Sequence, residues 1–321
     1  MPLPALLQER LRLPLVAAPM FLVSNPDLVI ACCNNGIVGS FPALNQRTSE
    51  GFAQWLEAIN TALSPTAAPY AVNLIVHKSN PRLHADLAIC VEKKVPIVIT
   101  SLGAVQDVVD AVHSYGGLVW HDVTSTRHGE KAAAAGVDGL IAVAAGAGGH
   151  AGTTSPFALL AEMRTYFDKT VLLSGCLNHG REILAAQLLG ADLAYMGTRF
   201  IATTESAADT EYKHMLLQAH AADIIHTPAV SGVPASFIRQ SLEKAGYDLS
   251  RLQDKAAINY GEKLTPADDE ASAWKTVWSA GQGVGEIQDL PSVRELITRL
   301  DHDYRQASAK AAQLAKTWPS S

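Results

Sequence analysis

The chain has 321 residues, 48% of them hydrophobic and 17% charged, with a formal net charge of −6 from 25 basic and 31 acidic side chains. That length carries one large domain or two smaller ones with ample core, and an acidic balance without any basic run argues against nucleic acid and anionic membrane surfaces as main partners. The opening MPLPALLQERLRLPLV lacks the apolar run of a signal peptide or membrane span, and Cys32, Cys33, Cys90 and Cys176 lack metal-type spacing, so the sequence reads as a reduced, cytoplasmic protein.

Short apolar runs bounded by turn residues recur along the chain: LPLVAAPM (13–20), GIVGSF (36–41), YAVNLIV (70–76), PIVITS (96–101), GLVWHDV (117–123), DGLIAVA (138–144), TVLLSG (170–175) and DLAYMG (192–197). Each is continuously apolar rather than alternating, as expected for parallel strands covered on both faces. Helical signatures lie between them. TSEGFAQWLEAINTAL sets Phe52, Trp55, Leu56 and Ile59 at helical spacing behind a start signal at Ser49. HGREILAAQLLGAD aligns Ile183, Leu184 and Leu188 and stops at Gly190.

Eight strand–helix repeats predict an α/β fold, a (β/α)8 barrel over residues 1–221. After the eighth strand the rhythm breaks. Residues 222–275 read as an inserted, small helical lid subdomain, and 276–321 as a return to the barrel mouth followed by a C-terminal helix. In the lid, Phe237 and Ile238 read as packing residues, and Arg239 as a helix cap or solvated charge, or else as a group that meets an acidic one. An apolar lid would suit a homodimer.

Active sites of such barrels form at the C-terminal ends of the strands. Those ends supply Pro19 and Met20, Asn73, Thr100 and Ser101, His121 and Asp122, the loop from Gly146 to Gly152, Ser174 and Gly175, and Gly197 with Thr198 and Arg199. The last two loops, SGCLNHG and MGTRF, are glycine-rich and polar. They are candidates for holding a phosphate with backbone N–H groups. The stretch AVAAGAGGHAG (142–152) sets His150 among glycines and alanines at the mouth, where an imidazole could take up a proton near neutral pH.

A catalytic metal is not expected. The eleven histidines form no HxH or HxxxH pair, and His121 and Asp122, being adjacent on a strand, point to opposite faces. Cys176 reads as a turn residue because no cation stands beside it in the sequence to lower its pKa, and the GxSxG pattern of hydrolases is missing.

AAPM at strand one, VNL at strand three, AGAGGHAG after strand six, MGTRF after strand eight and WSAGQGVG near the end occur in order. With these the chain resembles the nitronate monooxygenase (2-nitropropane dioxygenase) family, FMN-dependent oxidoreductases built on a TIM barrel, over about residues 11–300. The resemblance implies non-covalent FMN, its phosphate held by Ser174, Gly175, Gly197 and Thr198. Ala18, Pro19 and Met20 would lie against the isoalloxazine and Asn73 would hydrogen-bond it. Thr100 and His121 count among the cofactor-lining strand ends. Ala147, Gly148 and Gly149 would allow close approach, and Trp278, Ser279, Gly281 and Gln282 would return to the flavin edge.

His150 matches the catalytic histidine. The implied reaction oxidises an alkyl nitronate, or a neutral nitroalkane, with O2 to a carbonyl compound and nitrite. Two positions depart from the pattern: Cys176 where a second glycine is common, and Asp122 where some relatives carry lysine. The wider group also contains NAD(P)H-dependent quinone reductases and enoyl-thioester reductases, the alternative reading.

Overall fold

The computed structural model describes residues 3–77, 79–103, 106–230, 232–252 and 277–317. Eight parallel strands follow one another around a barrel: β1 (Leu15–Ala17), β2 (Gly39–Pro42), β3 (Tyr70–Ile75), β4 (Ile97–Ser101), β5 (Leu118–Val123), β6 (Gly139–Val143), β8 (Thr170–Ser174) and β9 (Leu193–Met196). A two-residue strand, β7 (Gly149–His150), interrupts the count without joining this sheet. All eight runs read from the sequence are therefore strands, and each is shorter than its apolar run. The ring closes between β1 and β2, where the Ala17 N–H donates to the Val38 carbonyl at 2.8 Å and the Val38 N–H to Leu15 at 3.1 Å.

Period-two alternation divides each strand between two cores. Val16, Val38, Ala71, Ile97, Ile99, Trp120, Ile141, Leu172 and Leu193 fill the barrel interior. Val72, Val98, Val119 and Leu173 face outward and pack with Leu56, Val108, Val112 and Ala132 of the surrounding helices. The interior is thus sealed low down, and what stands on the inner face of the upper strand ends borders the mouth.

Helix Ser49–Ala62 buries Phe52, Leu56 and Ile59, with Trp55 half-buried; its cap is Thr48, one residue ahead of the expected start, whose hydroxyl accepts from the Gly51 N–H at 3.1 Å. Helix Gly180–Leu188 buries Ile183 and Ala186, whereas Leu188 is 73% exposed. The row read from the sequence is rotated because the C-terminal helix crosses over Gly180. A Cβ there would stand 2.1 Å from the Leu300 carbonyl oxygen. That C-terminal helix, Val293–Thr317, packs on Gly180–Leu188 and is pinned to the barrel floor by Arg12, which donates to Asp301 through Nε at 3.1 Å and Nη2 at 2.8 Å.

The described part of 222–275 differs from the helical expectation. It opens with two antiparallel strands, β10 (Ile224–Thr227) and β11 (Ala235–Ile238), before a helix at Arg239–Lys244. β11 also pairs with β7, Ala235 opposite His150 and Ser236 opposite Gly149. Apolar runs of four residues do not distinguish a buried strand from a helix turn, and the pairing partner lies some 85 residues away (235 − 150). Phe237 and Ile238 are fully buried, as expected of residues that seat this ribbon on the barrel. The Arg239 guanidinium donates to the Ala222 carbonyl at 3.5 Å. Residues 253–275 of the lid reading lie outside the described residues.

Candidate active site

A cavity of about 1040 Å³ opens at the C-terminal ends of the strands, at the upper end of the range for small-molecule sites. Two kinds of wall enclose it, and the local sequence explains each.

The first wall is backbone. The loop after β6 runs through Gly146, Ala147, Gly148 and Gly149 and meets the returning segment Ala280–Gly281. A Cβ on Gly148 would stand 2.8 Å from the Gly281 nitrogen, and one on Gly281 2.7 Å from the Gly146 carbonyl oxygen. The two loops can touch only because both positions lack a side chain. The contact is fastened by the Gln282 N–H donating to the Gly146 carbonyl (2.9 Å) and by the Gly281 N–H donating to the Thr198 hydroxyl (2.9 Å).

Gly149 is different: its φ is +63° and nothing lies within 4 Å of where its Cβ would be. The glycines around His150 therefore serve mainly loop-on-loop packing, and Gly149 alone faces open space. Ser174, Gly175, Gly197 and Thr198 border the same end of the cavity. Cys176, at φ +54°, sets its sulfur 3.7 Å from the Gly146 carbonyl oxygen, and burial pushes its thiol pKa up, which fits a turn residue rather than a nucleophile.

The second wall is side chain. On the inner face, β3, β4 and β5 end in Asn73, Ser101 and Asp122, joined in a line. Asn73 Nδ2 donates to Ser101 Oγ (2.8 Å) and to the Ile99 carbonyl (3.3 Å), and Ser101 Oγ donates to Asp122 Oδ2 (2.5 Å). Asp122 Oδ1 is buried and has no hydrogen-bond partner among the described residues. Burial raises the Asp122 pKa to about 6, against a smaller lowering by the Ser101 hydroxyl. Tyr195 of β9 lines the cavity from the same inner layer, and its phenol is pushed well above its ordinary value by burial and then by the Asp122 charge.

Over the mouth, the β7–β11 pairing holds His150 as a strand residue rather than a loop residue, and its side chain borders the cavity. Trp278 stacks on Tyr212, ring centroids 5.1 Å apart and planes 6° from parallel, and both line the cavity. The Tyr212 hydroxyl donates to the Ser279 carbonyl; Ser279 Oγ is buried without a partner among the described residues.

Of the residues expected at the site, Ala18, Pro19, Met20, Asn73, Ala147, Gly148, Gly149, His150, Ser174, Gly175, Gly197, Thr198, Trp278, Ser279 and Gly281 all border this one cavity. His121 borders it too, and only Thr100 and Gln282 do not. Thr100 and His121 alternate with the inward Ser101 and Asp122, so they face the helices. There the Thr100 hydroxyl and His121 Nδ1 bond each other at 2.7 Å, and burial lowers the His121 pKa to about 4.

His121 also borders the cavity, whose lining includes Gln106, His128 and Lys131. Gln282 directs its side chain past Gly146 on the outside and contributes its N–H to the loop contact. Ser101 and Asp122, named among the strand ends but not assigned to the cofactor, also line the cavity, as does Tyr195, which was not named. Counting alternate residues back from the strand ends would have found Tyr195.

Among the described residues one trio could converge on a metal, His179, Glu182 and Glu286, outside the cavity. Its groups are already engaged: Glu182 accepts the Asn178 and His179 N–H groups and Glu286 pairs with Arg181.

The family described as nitronate monooxygenase matches residues 6–303. The chain belongs to the nitronate monooxygenase family. It is 27% identical to the nitronate monooxygenase of Paraburkholderia phytofirmans, over 94% of this chain and 95% of that protein. It is 29% identical, over 88% and 90%, to the (3aS,4S,5R,7aS)-5-hydroxy-7a-methyl-1-oxo-octahydro-1H-indene-4-carboxyl-CoA dehydrogenase of Rhodococcus jostii. Among solved structures, nitroalkane oxidase from Streptomyces ansochromogenes superposes with a TM-score of 0.80 at 24% identity, over 96% of this chain and all of that one, a likeness of fold. The protein is accordingly a TIM-barrel oxidoreductase, and family membership implies a flavin cofactor. Among the described residues no helix is long and apolar enough to cross a membrane.

Proposed function

We propose that this protein is an FMN-dependent nitronate monooxygenase, oxidising alkyl nitronates or nitroalkanes with O2 to carbonyl compounds and nitrite. The observation that carries the reading is the single cavity that gathers His150, the glycine wall and the phosphate-type loops after β8 and β9. The donor set suits a flavin nucleotide. Gly149 leaves open space for a flat ring, Ser279 Oγ is a buried polar atom still wanting a partner, and Thr198 with Gly175 and Gly197 offers an uncharged, small-residue cradle for a phosphate.

In this reading FMN, when bound, accepts the electrons that leave the substrate. Ser174, Gly175, Gly197 and Thr198 hold its phosphate. Ala18 to Met20, Ala147 to Gly149, Asn73, Trp278, Ser279 and Gly281 line the remainder. His150 removes the carbon-bound proton of a neutral nitroalkane or orients a nitronate that arrives already deprotonated, and its β7–β11 pairing keeps the backbone beneath it fixed. The β10–β11 ribbon, with Phe237 and Ile238 buried beneath it, limits water at the mouth.

A second reading, an NAD(P)H-dependent reductase of quinones or acyl thioesters, is favoured by one feature. The cavity continues outward past Leu102, Gln106, His128 and Lys131, giving room and positive charge for a longer, anionic substrate.

The deciding experiment mixes the FMN-loaded protein anaerobically with propyl nitronate and, separately, with NADH and NADPH, following the visible flavin absorbance. Loss of absorbance with nitronate alone is the expected result. Loss with a nicotinamide and none with nitronate would replace the first reading by the second.

A further inference from the structure

The hydrogen-bond line on the inner wall has a fixed direction. The Ile99 carbonyl can only accept, so the Asn73 atom facing it is the amide nitrogen, and that nitrogen also faces Ser101 Oγ. Ser101 therefore accepts from Asn73 and spends its one proton on Asp122 Oδ2. With Oδ2 committed as an acceptor, any proton on this carboxyl resides on Oδ1, the buried atom that has no partner among the described residues.

We propose that Asp122 is a specificity-determining residue that gates anionic ligands: an anion is accepted in the inner mouth when the carboxyl on its wall is protonated and neutral, and is repelled when it is ionised. This rests on the nitronate reading, and it assigns the substrate form, anionic nitronate with protonated Asp122 and neutral nitroalkane with ionised Asp122. A carboxylate and an anion in one desolvated site repel strongly, whereas a neutral carboxylic acid carries no charge to oppose the anion.

Burial already favours the protonated form up to a pH of about 6, so the gate works near physiological conditions. The other titratable groups on the cavity wall are Tyr195 on β9, His150 on β7, His77, His121, His128, Lys131, Cys176 and Tyr212. Among the described residues, the Asp122 carboxyl accepts its hydrogen bond from Ser101.

The test titrates FMN-loaded protein with sodium nitrate, a planar anion that cannot turn over, and reads Kd from the flavin visible spectrum as a function of pH. In the native protein Kd is expected to rise above a pH of about 6, roughly tenfold for each further unit. Asp122→Asn is uncharged at every pH, and its Kd should stay low and flat. Ser101→Ala removes the hydroxyl that favours the charged form, so its rise should begin at higher pH.

A pH-independent Kd in the native protein, no nitrate binding at any pH, or an unchanged profile in both variants would overturn the proposal. Nitrate binding that follows the expected profile, with no reduction of the flavin by nitronate, would keep the gate and remove the nitronate reading, so the two failures remain distinct.

Discussion

The two walls of the cavity are made of different material. On the side of β6, β8 and β9 the lining is backbone, with glycines so close that Gly148 and Gly281 exclude each other's side chains. On the side of β3 to β5 it is a directed line of polar side chains that ends at an oxygen with no partner among the described residues. Backbone N–H groups on a packed loop hold a charged group without titrating, while a buried carboxyl changes state with pH. The contrast assigns holding to the first wall and discrimination to the second.

Breaking each wall should produce different losses. The largest concerns His150, which sits on β7 at the edge of the backbone wall. His150→Ala is expected to keep the flavin and lose about 10²- to 10⁴-fold in turnover of neutral nitroalkanes, measured as steady-state rate at equal flavin content; unchanged turnover would remove its role. Next is Gly281→Val, whose branched side chain would press on Gly146 and Gly148. It should cost about 1–3 kcal/mol of stability and most of the bound flavin, read by denaturation and by flavin content after gel filtration.

A smaller effect sharpens the side-chain wall. His121 and Asp122 are sequence neighbours facing opposite sides of β5, and burial moves them in opposite directions. Asp122 is raised from 3.8 to about 6, so its protonated form stabilises the fold at low pH and that stability is lost as pH rises through about 6. His121 is lowered from 6.5 to about 4, so its contribution is present above 6.5 and is lost as pH falls towards 4.

Each amounts to something on the order of 3 kcal/mol, and between these limits they oppose each other. The native protein should therefore show little pH dependence of stability there. Asp122→Asn should lose stability on acidification and His121→Asn should lose it on alkalisation, both visible in urea midpoints. The smallest effect is that of Gln282→Ala. It keeps the N–H that binds Gly146 and removes a side chain outside the cavity, so flavin content and stability should move by less than about 0.5 kcal/mol.

The barrel was legible because continuous apolar runs repeat eight times, and parallel strands covered on both faces require that pattern. The glycine wall was legible as a motif, but its reason was not. Gly148 and Gly281 are small because two loops 133 residues apart (281 − 148) collide, and no local rule reveals that. Thr100 was assigned to the cofactor although strand alternation turns it away from the cavity, whereas its neighbour Ser101, named only as a strand end, lines it. The β10–β11 ribbon escaped because its four-residue strands are too short to show a period, and their register is set by Gly149 and His150 across the mouth.

The division between the walls is tested most directly by comparing FMN with riboflavin, which lacks the phosphate, on native protein and on Thr198→Asp, with Kd taken from quenching of flavin fluorescence. If the backbone wall holds the phosphate, the native protein should prefer FMN by at least about tenfold. Thr198→Asp should abolish that preference while leaving riboflavin binding nearly unchanged. Equal affinity for the two flavins in the native protein, or an FMN preference that survives the added charge, would contradict it.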